Sequence, residues 1–327
     1  MLEKLTHIEL DDYNLASQIV LQPYFDTKLT ICSDQEREQW YQNLLALAEY
    51  NTGIAHCVQH NAIPRFLVES HFGNNLPDFY KPFSEQIACQ AGLKLADNFI
   101  LKDRVLSGSK HWLSNLPLSD FAVVRATDGV EFESYVVIDL TTMPHTIEPA
   151  MNPIGLNVAR PSTLTVNNLE LPENYIWDRQ SYITKSNSSF FDKSQIDYSF
   201  ITNYLGCMIA LYKNVCDYVR DKNIDVGFEL KKIKVAISSL KMIWEDNLHT
   251  THIRDFPNDN FWHKRSTQYT QSKNTMVALI SLILGIGDSR WLDVATASTQ
   301  KFRDALIFSS HMGPLYKNLE AKHFVNF

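Results

Sequence analysis

Residues 108–126 read GSKHWLSNLPLSDFAVVRA, a glycine-led turn that passes Asp120 and enters the apolar run FAVV. The stretches FAVVRATD (121–128), ESYVVIDL (133–140) and STLTVNNLEL (162–171) are rich in Val, Ile, Tyr and Thr, and polar or proline-bearing connections separate them. Such side chains suit a pleated, half-buried surface, so residues 84–171 predict a block of short strands. His111, Trp112 and Ser114 stand at the head of that block. They are either the shoulder of an ordinary hairpin or the wall of a ligand pocket.

On both sides of this block the periodicity changes. Upstream, DQEREQWYQNLLALAEYNTGIAHCVQH (34–60) opens at the candidate caps Ser33 and Asp34 and repeats Trp40, Leu44, Leu47 and Ala48 at helical spacing. The Gly, Asn and Pro of HFGNNLPDFYKPF (71–83) then mark a boundary. Downstream, residues 195–222, 226–250, 260–285 and 290–312 read as helices, and the short loops between them favour antiparallel packing in a bundle. Helices, then strands, then helices is an α+β order rather than alternating βαβ units. The expected organisation is an N-terminal helical domain over 1–83, a central antiparallel β domain over 84–175 and a C-terminal four-helix bundle over 190–327.

The chain has 327 residues, of which 45% are hydrophobic, enough for a substantial core, and its net charge of −7 gives no basic excess to recommend nucleic acid or an anionic membrane. The acidic residues of MLEKLTHIELDDYNLASQIV stand where a secretory signal needs a basic head and an apolar core, so a cytoplasmic location is expected. MVALISLILGIG (276–287) is too short for a membrane span and reads as a buried helix. The five cysteines are scattered without CxxC spacing, which favours reduced thiols over a disulfide framework or a zinc site. His249, His252 and His263 lack a carboxylate or cysteine at ligand spacing and read as a solvated loop, so no metal is expected. His56 and His60, at i and i+4 on one helix face, lack the HExxH glutamate and a third ligand and read as a structural or surface pair.

The quoted turn, with its G-x-K-x-W-L-S pattern followed by an aspartate and an apolar strand, resembles the acyl-CoA dehydrogenase superfamily. About 45 residues on, PIGLNVARPSTLTVNNLELPENYIW (153–177) is similar to that family's G-x-r-x-S-x-T-x-x-V run, here at Gly155, Ser162, Thr165, Val166 and Pro172. A third stretch, QKFRDALIFSSHMGPLYK (300–317), resembles its last helix, with Arg303, Asp304 and Ala305 in the matching places. The resemblance spans roughly residues 35–320. It implies a fold of helical domain, β domain and four-helix bundle, assembled as a homodimer or homotetramer. It also implies a flavin, FAD or FMN, between the β domain and the bundle, with Trp112 flanking the ring and Ser114 donating to it. An indole beside a hydroxyl has the needed chemistry, whereas without the resemblance Trp112 reads as a core aromatic and Ser114 as a turn residue.

Several positions depart from the family pattern. The Thr-Glu-Pro segment that precedes the turn in relatives has only Ser84, Glu85 and Gln86 as its nearest counterpart. The phosphate-binding arginine supplied by a neighbouring subunit falls on Lys222, a point charge in place of a planar fork, or on Arg220 in a slipped register, and ILGIGDSRW supplies Gly285 and Gly287 without the accompanying glutamine. The slot of the dehydrogenase glutamate holds Met312, which cannot accept a proton, and the alternative slot near Ile196 has only Asp197 beside it. The residue before Met312 is His311, and a histidine near this place is characteristic of the family's flavin monooxygenases, which use a separate flavin reductase. His311 is therefore the candidate catalytic residue, against a plain reading as a helix C-terminal residue before Gly313 and Pro314. The resemblance implies an oxidoreductase that dehydrogenates or hydroxylates an acyl-CoA-like or small organic substrate. Its rival, favoured by the same departures, keeps the fold as a binding or scaffold protein without flavin.

Overall fold

The computed structural model describes residues 13–22, 25–26, 34–91, 99–128, 133–149, 155–178, 188–250, 259–286 and 301–307. His311 and Met312 lie outside the described residues.

Three helices open the chain, α1 (Tyr13–Val20), α2 (Asp34–Tyr50) and α3 (Thr52–Phe72). Only Asn51 separates α2 from α3: its backbone is extended and its side-chain oxygen accepts from the Ile54 N–H at 3.1 Å, capping α3. Gly73, at φ 56°, ends α3 by donating its N–H to the Glu69 carbonyl. Most of α3 is buried, and its interior polar residues each reach a different element. His56 meets Ser114, Gln59 donates to Ser199, Asn61 accepts from the Ala88 N–H, and Arg65 donates to the carbonyls of Lys81, Pro82 and Gln86. Buried polar groups need partners, so α3 acts as the pillar to which sheet and bundle are tied.

Eight strands follow: β1 (Ala88–Ala91), β2 (Phe99–Lys102), β3 (Val105–Leu113), β4 (Phe121–Thr127), β5 (Glu133–Asp139), β6 (Thr146–Pro149), β7 (Ser162–Glu170) and β8 (Ile176–Asp178). They form one sheet in the order β6-β7-β3-β2-β4-β5-β8, with β1 also along β4. The sheet is antiparallel except that β1 and β2 both run parallel to β4, the first along its start and the second along its end. Strand β4 is buried on both faces, which is why FAVV reads as a continuous apolar run rather than an alternation. Phe121 and Val123 pack with Ile63, Leu67 and Val68 of α3, whereas Ala122 and Val124 join Leu106, Leu164 and Val166 on the other face. Asp103 and Arg104, both at positive φ, turn β2 into β3.

The chain then returns to helices, α4 (Ser188–Lys222), α5 (Gly227–Thr250) and α6 (Asp259–Gly285), and residues 301–307 are helical as well. The α+β order and the central, mostly antiparallel sheet are those expected. Helix α4 starts at Ser188 rather than near 195. The end of the serine-rich spacer supplies its first residues. Gly206 lets α4 cross α2 closely, since a Cβ there would lie 2.5 Å from Ala48 Cβ. Among the described residues no helix is long and apolar enough to cross a membrane.

Asp139, 8% exposed at the end of β5, offers a pH test of this framework. Its carboxylate accepts from the Thr141 N–H at 2.9 Å and from the hydroxyls of Thr141 and Thr142 at 2.6 Å each. Burial pushes the carboxyl up, but these hydrogen bonds outweigh it and hold the group below its usual value. A folded value below the unfolded one means that the stabilisation is present above about pH 4 and is lost as the pH falls through the folded value. Asp139→Asn is therefore expected to lower stability by about 1–2 kcal/mol at pH 7. In urea titrations at pH 7 and pH 3, the gap from the parent chain should shrink at the lower pH; an equal gap at both would contradict it.

Candidate functional site

The turn that closes β3 is built by two irregularities in its pairing with β7. The register shifts once between Leu106 and Gly108 and again between Lys110 and Leu113. Gly108 has φ 138° and Trp112, inside the second shift, has φ 65°. A bulge re-aims the side chain it carries, and a positive φ at a tryptophan is a conformation that its surroundings must hold. Asn115 follows in the left-handed region and fastens the turn, donating from Nδ2 to the Cys57 carbonyl at 2.7 Å and from its backbone N–H to the Ala159 carbonyl at 2.8 Å.

Between these points Ser114 is 2% exposed, and its Oγ lies 3.0 Å from Nε2 of His56, itself 1% exposed. The His56 ring packs on His60 at 4.2 Å between centroids, and His60 meets Phe200 edge-on at 6.0 Å. Beside them Gln59 donates to Ser199 at 3.1 Å and accepts from Asn203. The Ser114 turn is thus joined through α3 to α4.

The other two motif segments arrive at the same place. Gly155 lies so close to the 301–307 helix that a Cβ would stand 2.4 Å from the Arg303 carbonyl oxygen. The next residue, Leu156, donates its N–H to Asp304 Oδ1 at 2.7 Å, and Asp304 is 1% exposed. Burial first, then the Asp304 carboxylate, pushes the Cys207 thiol up to about 12, and the same two causes raise Cys57. Both cysteines are therefore neutral packing residues.

Trp112 is half-buried on the turn and Ser114 is buried beside it. Lys222 is the exposed last residue of α4, some 23 positions beyond Ser199, which is about 35 Å along a helix axis. Gly285 is the exposed last residue of α6, with open space where a Cβ would be. The structure thus brings Trp112 and Ser114 together and leaves Lys222 at the far end of the bundle helix. Gln86, from the segment in place of Thr-Glu-Pro, is buried and bonds locally to Phe79 and Lys81.

His56, read from the sequence as half of a structural or surface pair with His60, takes the structural alternative. It stands on the buried side of α3 and contacts Ser114 directly, not on a surface. The available signal was the polar set His56, Gln59, His60 and Asn61, set among the apolar residues Ile54, Ala55, Cys57, Val58, Ala62 and Ile63. Among the described residues no group of three His, Cys, Asp or Glu is placed to hold a metal ion.

The set fits a flavin ring in its chemistry. An indole flanks a hydroxyl, and a serine oxygen that receives an imidazole N–H still has its own hydrogen to give. His56 engages that hydroxyl at 3.0 Å, so the serine's own hydrogen is left for a ligand only where the imidazole is the donor.

No protein-family profile matches the chain, and no curated protein matches it in sequence. Solved structures do match. Butyryl-CoA dehydrogenase from Megasphaera elsdenii aligns with a TM-score of 0.76 at 12% identity, over 96% of this chain and 90% of that one. The HsaA monooxygenase from M. tuberculosis aligns at 0.74 and 11% identity, over 100% and 97%. KijD3, solved in complex with FMN and dTDP-3-amino-2,3,6-trideoxy-4-keto-3-methyl-D-glucose, aligns at 0.72 and 13% identity, over 96% and 86%. At such identities the likeness is one of fold.

Proposed function

From the acyl-CoA dehydrogenase-like fold of this chain, we propose that it is a flavin-dependent oxidoreductase acting on an acyl-CoA-like or small organic substrate. The observation that carries this reading is the convergence of three motif segments far apart in sequence. The Asn115 N–H bonds to the Ala159 carbonyl and the Leu156 N–H to Asp304, so the turn that carries Trp112 is held against the helical region by two links in series. Trp112 would flank the ring and Ser114 would donate to it, with His56 holding the serine hydroxyl in one orientation. FAD or FMN would supply electron-pair acceptance, and Lys222 and Gly285 would serve the phosphates of a flavin held by a neighbouring copy. His311 is the proposed acid or base, since Met312 has no ionisable group. A flavin reductase is the partner that the hydroxylating version of this activity requires.

A second reading is favoured by one observation: Ser114 is 2% exposed and its hydroxyl is engaged by His56. In that reading the fold is kept as a binding or scaffold protein and the flavin position is filled by the protein's own side chains.

Absorption spectra of the purified chain after incubation with excess FAD or FMN and gel filtration separate the two. The flavin reading expects near-stoichiometric retention, and about tenfold weaker binding for Trp112→Ala and Ser114→Ala, the loss of roughly one good contact. Retention of neither flavin by the folded chain makes the second reading the correct one, and equal affinity in both variants removes these residues from the pocket.

A further inference from the structure

Helices α2 and α5 both pack on α4, and between them lies a cleft of about 440 Å³. Tyr198 of α4 ties the two together: it meets Tyr41 of α2 edge-on at 4.5 Å between centroids and stacks on Trp244 of α5 at 6.0 Å and 8°. Trp244 is fixed further by its indole N–H, which donates to Thr202 Oγ1 at 2.8 Å, and by the Tyr198 hydroxyl, which donates to its carbonyl at 2.6 Å. Its one polar ring atom is thus engaged away from the cleft, and the indole joins Leu45, Ala46 and Leu248 as an apolar floor. The cleft shares no residue with the Trp112 turn or with the His56 set.

The walls of the cleft are charged. From α2 come Glu38, Gln42 and Glu49, and from α5 come Lys241 and Glu245. Glu38 and Glu49 are half-buried and share one face of α2, three turns or about 16 Å apart, with Gln42 and Leu45 between them. Gln42 donates to Glu38 at 3.0 Å, Lys241 lies 3.7 Å from Glu245, and Lys213 of α4 donates to Glu49 at 2.6 Å. Three carboxylates therefore stand against one lysine on the walls, and that lysine already faces a carboxylate of its own helix. The net charge of −7 on the whole chain acts in the same sense on an approaching ion.

We infer that this cleft is a binding site for a small organic cation, an ammonium group carried on an apolar body, separate from the flavin position. The ammonium lies among the wall carboxylates, and the body covers Trp244 and the two leucines. The volume falls within the range of small-molecule clefts, about 300–1,000 Å³. A bare metal ion does not suit the cleft, because among the described residues no group of three His, Cys, Asp or Glu is placed to hold one, and the floor offers it no ligand. A phosphate or carboxylate ligand would meet three like charges. The inference does not rest on flavin binding.

Isothermal titration calorimetry on the full chain tests it, with 2-phenylethylamine as the cation, phenylacetate as its anionic counterpart, and circular dichroism to confirm that each variant is folded. The amine is expected to bind at one site and phenylacetate to give no binding heat. Glu38→Gln combined with Glu245→Gln is expected to weaken the amine about tenfold, and added salt should weaken it in the parent chain as well. Ala46→Trp, which fills the cleft without touching a charge, is expected to abolish binding. No binding at millimolar amine, equal binding of phenylacetate, or an affinity left unchanged by either variant overturns the inference.

Discussion

Arg65→Ala is expected to cost about 3–5 kcal/mol of folding stability, among the largest effects of any single side chain outside the candidate site. Arg65 is 1% exposed in the middle of α3. Its two terminal nitrogens reach the carbonyls of Lys81, Pro82 and Gln86 at 3.0 to 3.3 Å, and the guanidinium lies 4.8 Å from the Tyr80 ring centroid and 5.2 Å from that of Phe83. Truncation removes the Arg65 donor from three carbonyls, of which that of Pro82 also accepts from the Glu85 N–H, and opens a void beside two aromatic rings. Arg65→Lys should recover little, because an ammonium on a flexible stem does not reproduce a planar fork. Urea unfolding of both variants checks this, and a loss below about 1 kcal/mol for the alanine variant would show that the segment from Lys81 to Gln86 finds other donors.

That segment leads into β1, where the Ala88 N–H bonds to Asn61 and the Ile87 N–H to Asp120. Arg65 therefore helps set the height of the sheet against α3, and with it the height of the Ser114 turn against His56. Its effect should reach the site through position, not through chemistry.

The strand block was legible because β-branched and aromatic residues cluster between turn residues, and β4 in particular announced itself as FAVV. The helices were legible from apolar spacing. What lay beyond the sequence was pairing. Nothing in residues 105–113 indicates that two register shifts would turn Trp112 to φ 65°, because a bulge is defined by the partner strand. The parallel run of β1 and β2 along β4 is likewise a fact of long-range closure. At the site, Trp112 and Ser114 were singled out by motif, whereas the contact of His56 with Ser114 was not foreseen. A histidine at i and i+4 from another looks the same on a helix surface as inside one, and only the burial of most of α3 decides between them.

Gly155→Ala is expected to cost about 3 kcal/mol, although it adds a single methyl group. The new Cβ would stand 2.4 Å from the Arg303 carbonyl oxygen and 2.7 Å from the Asp304 N, backbone atoms that no rotamer change can move aside. Relief requires the 155–160 segment to leave the 301–307 helix, which breaks the 2.7 Å bond from the Leu156 N–H to Asp304. Asp304→Ala removes the same bond from the other side and should cost about 2 kcal/mol by leaving a buried N–H without its acceptor. Because both changes act through one contact, the double variant should lose clearly less than the sum of the two, a coupling of about 1 kcal/mol or more in a double-mutant cycle. Additive losses would mean that Gly155 and Asp304 stabilise the chain separately and that the second and third motif segments are not one unit. The displaced segment also carries the Ala159 carbonyl that holds Asn115, next to Ser114. Gly155→Ala should therefore weaken flavin retention in proportion to the loss of this anchor while adding no group to the pocket itself, which distinguishes a site assembled from three segments from one contained in the Trp112 turn alone.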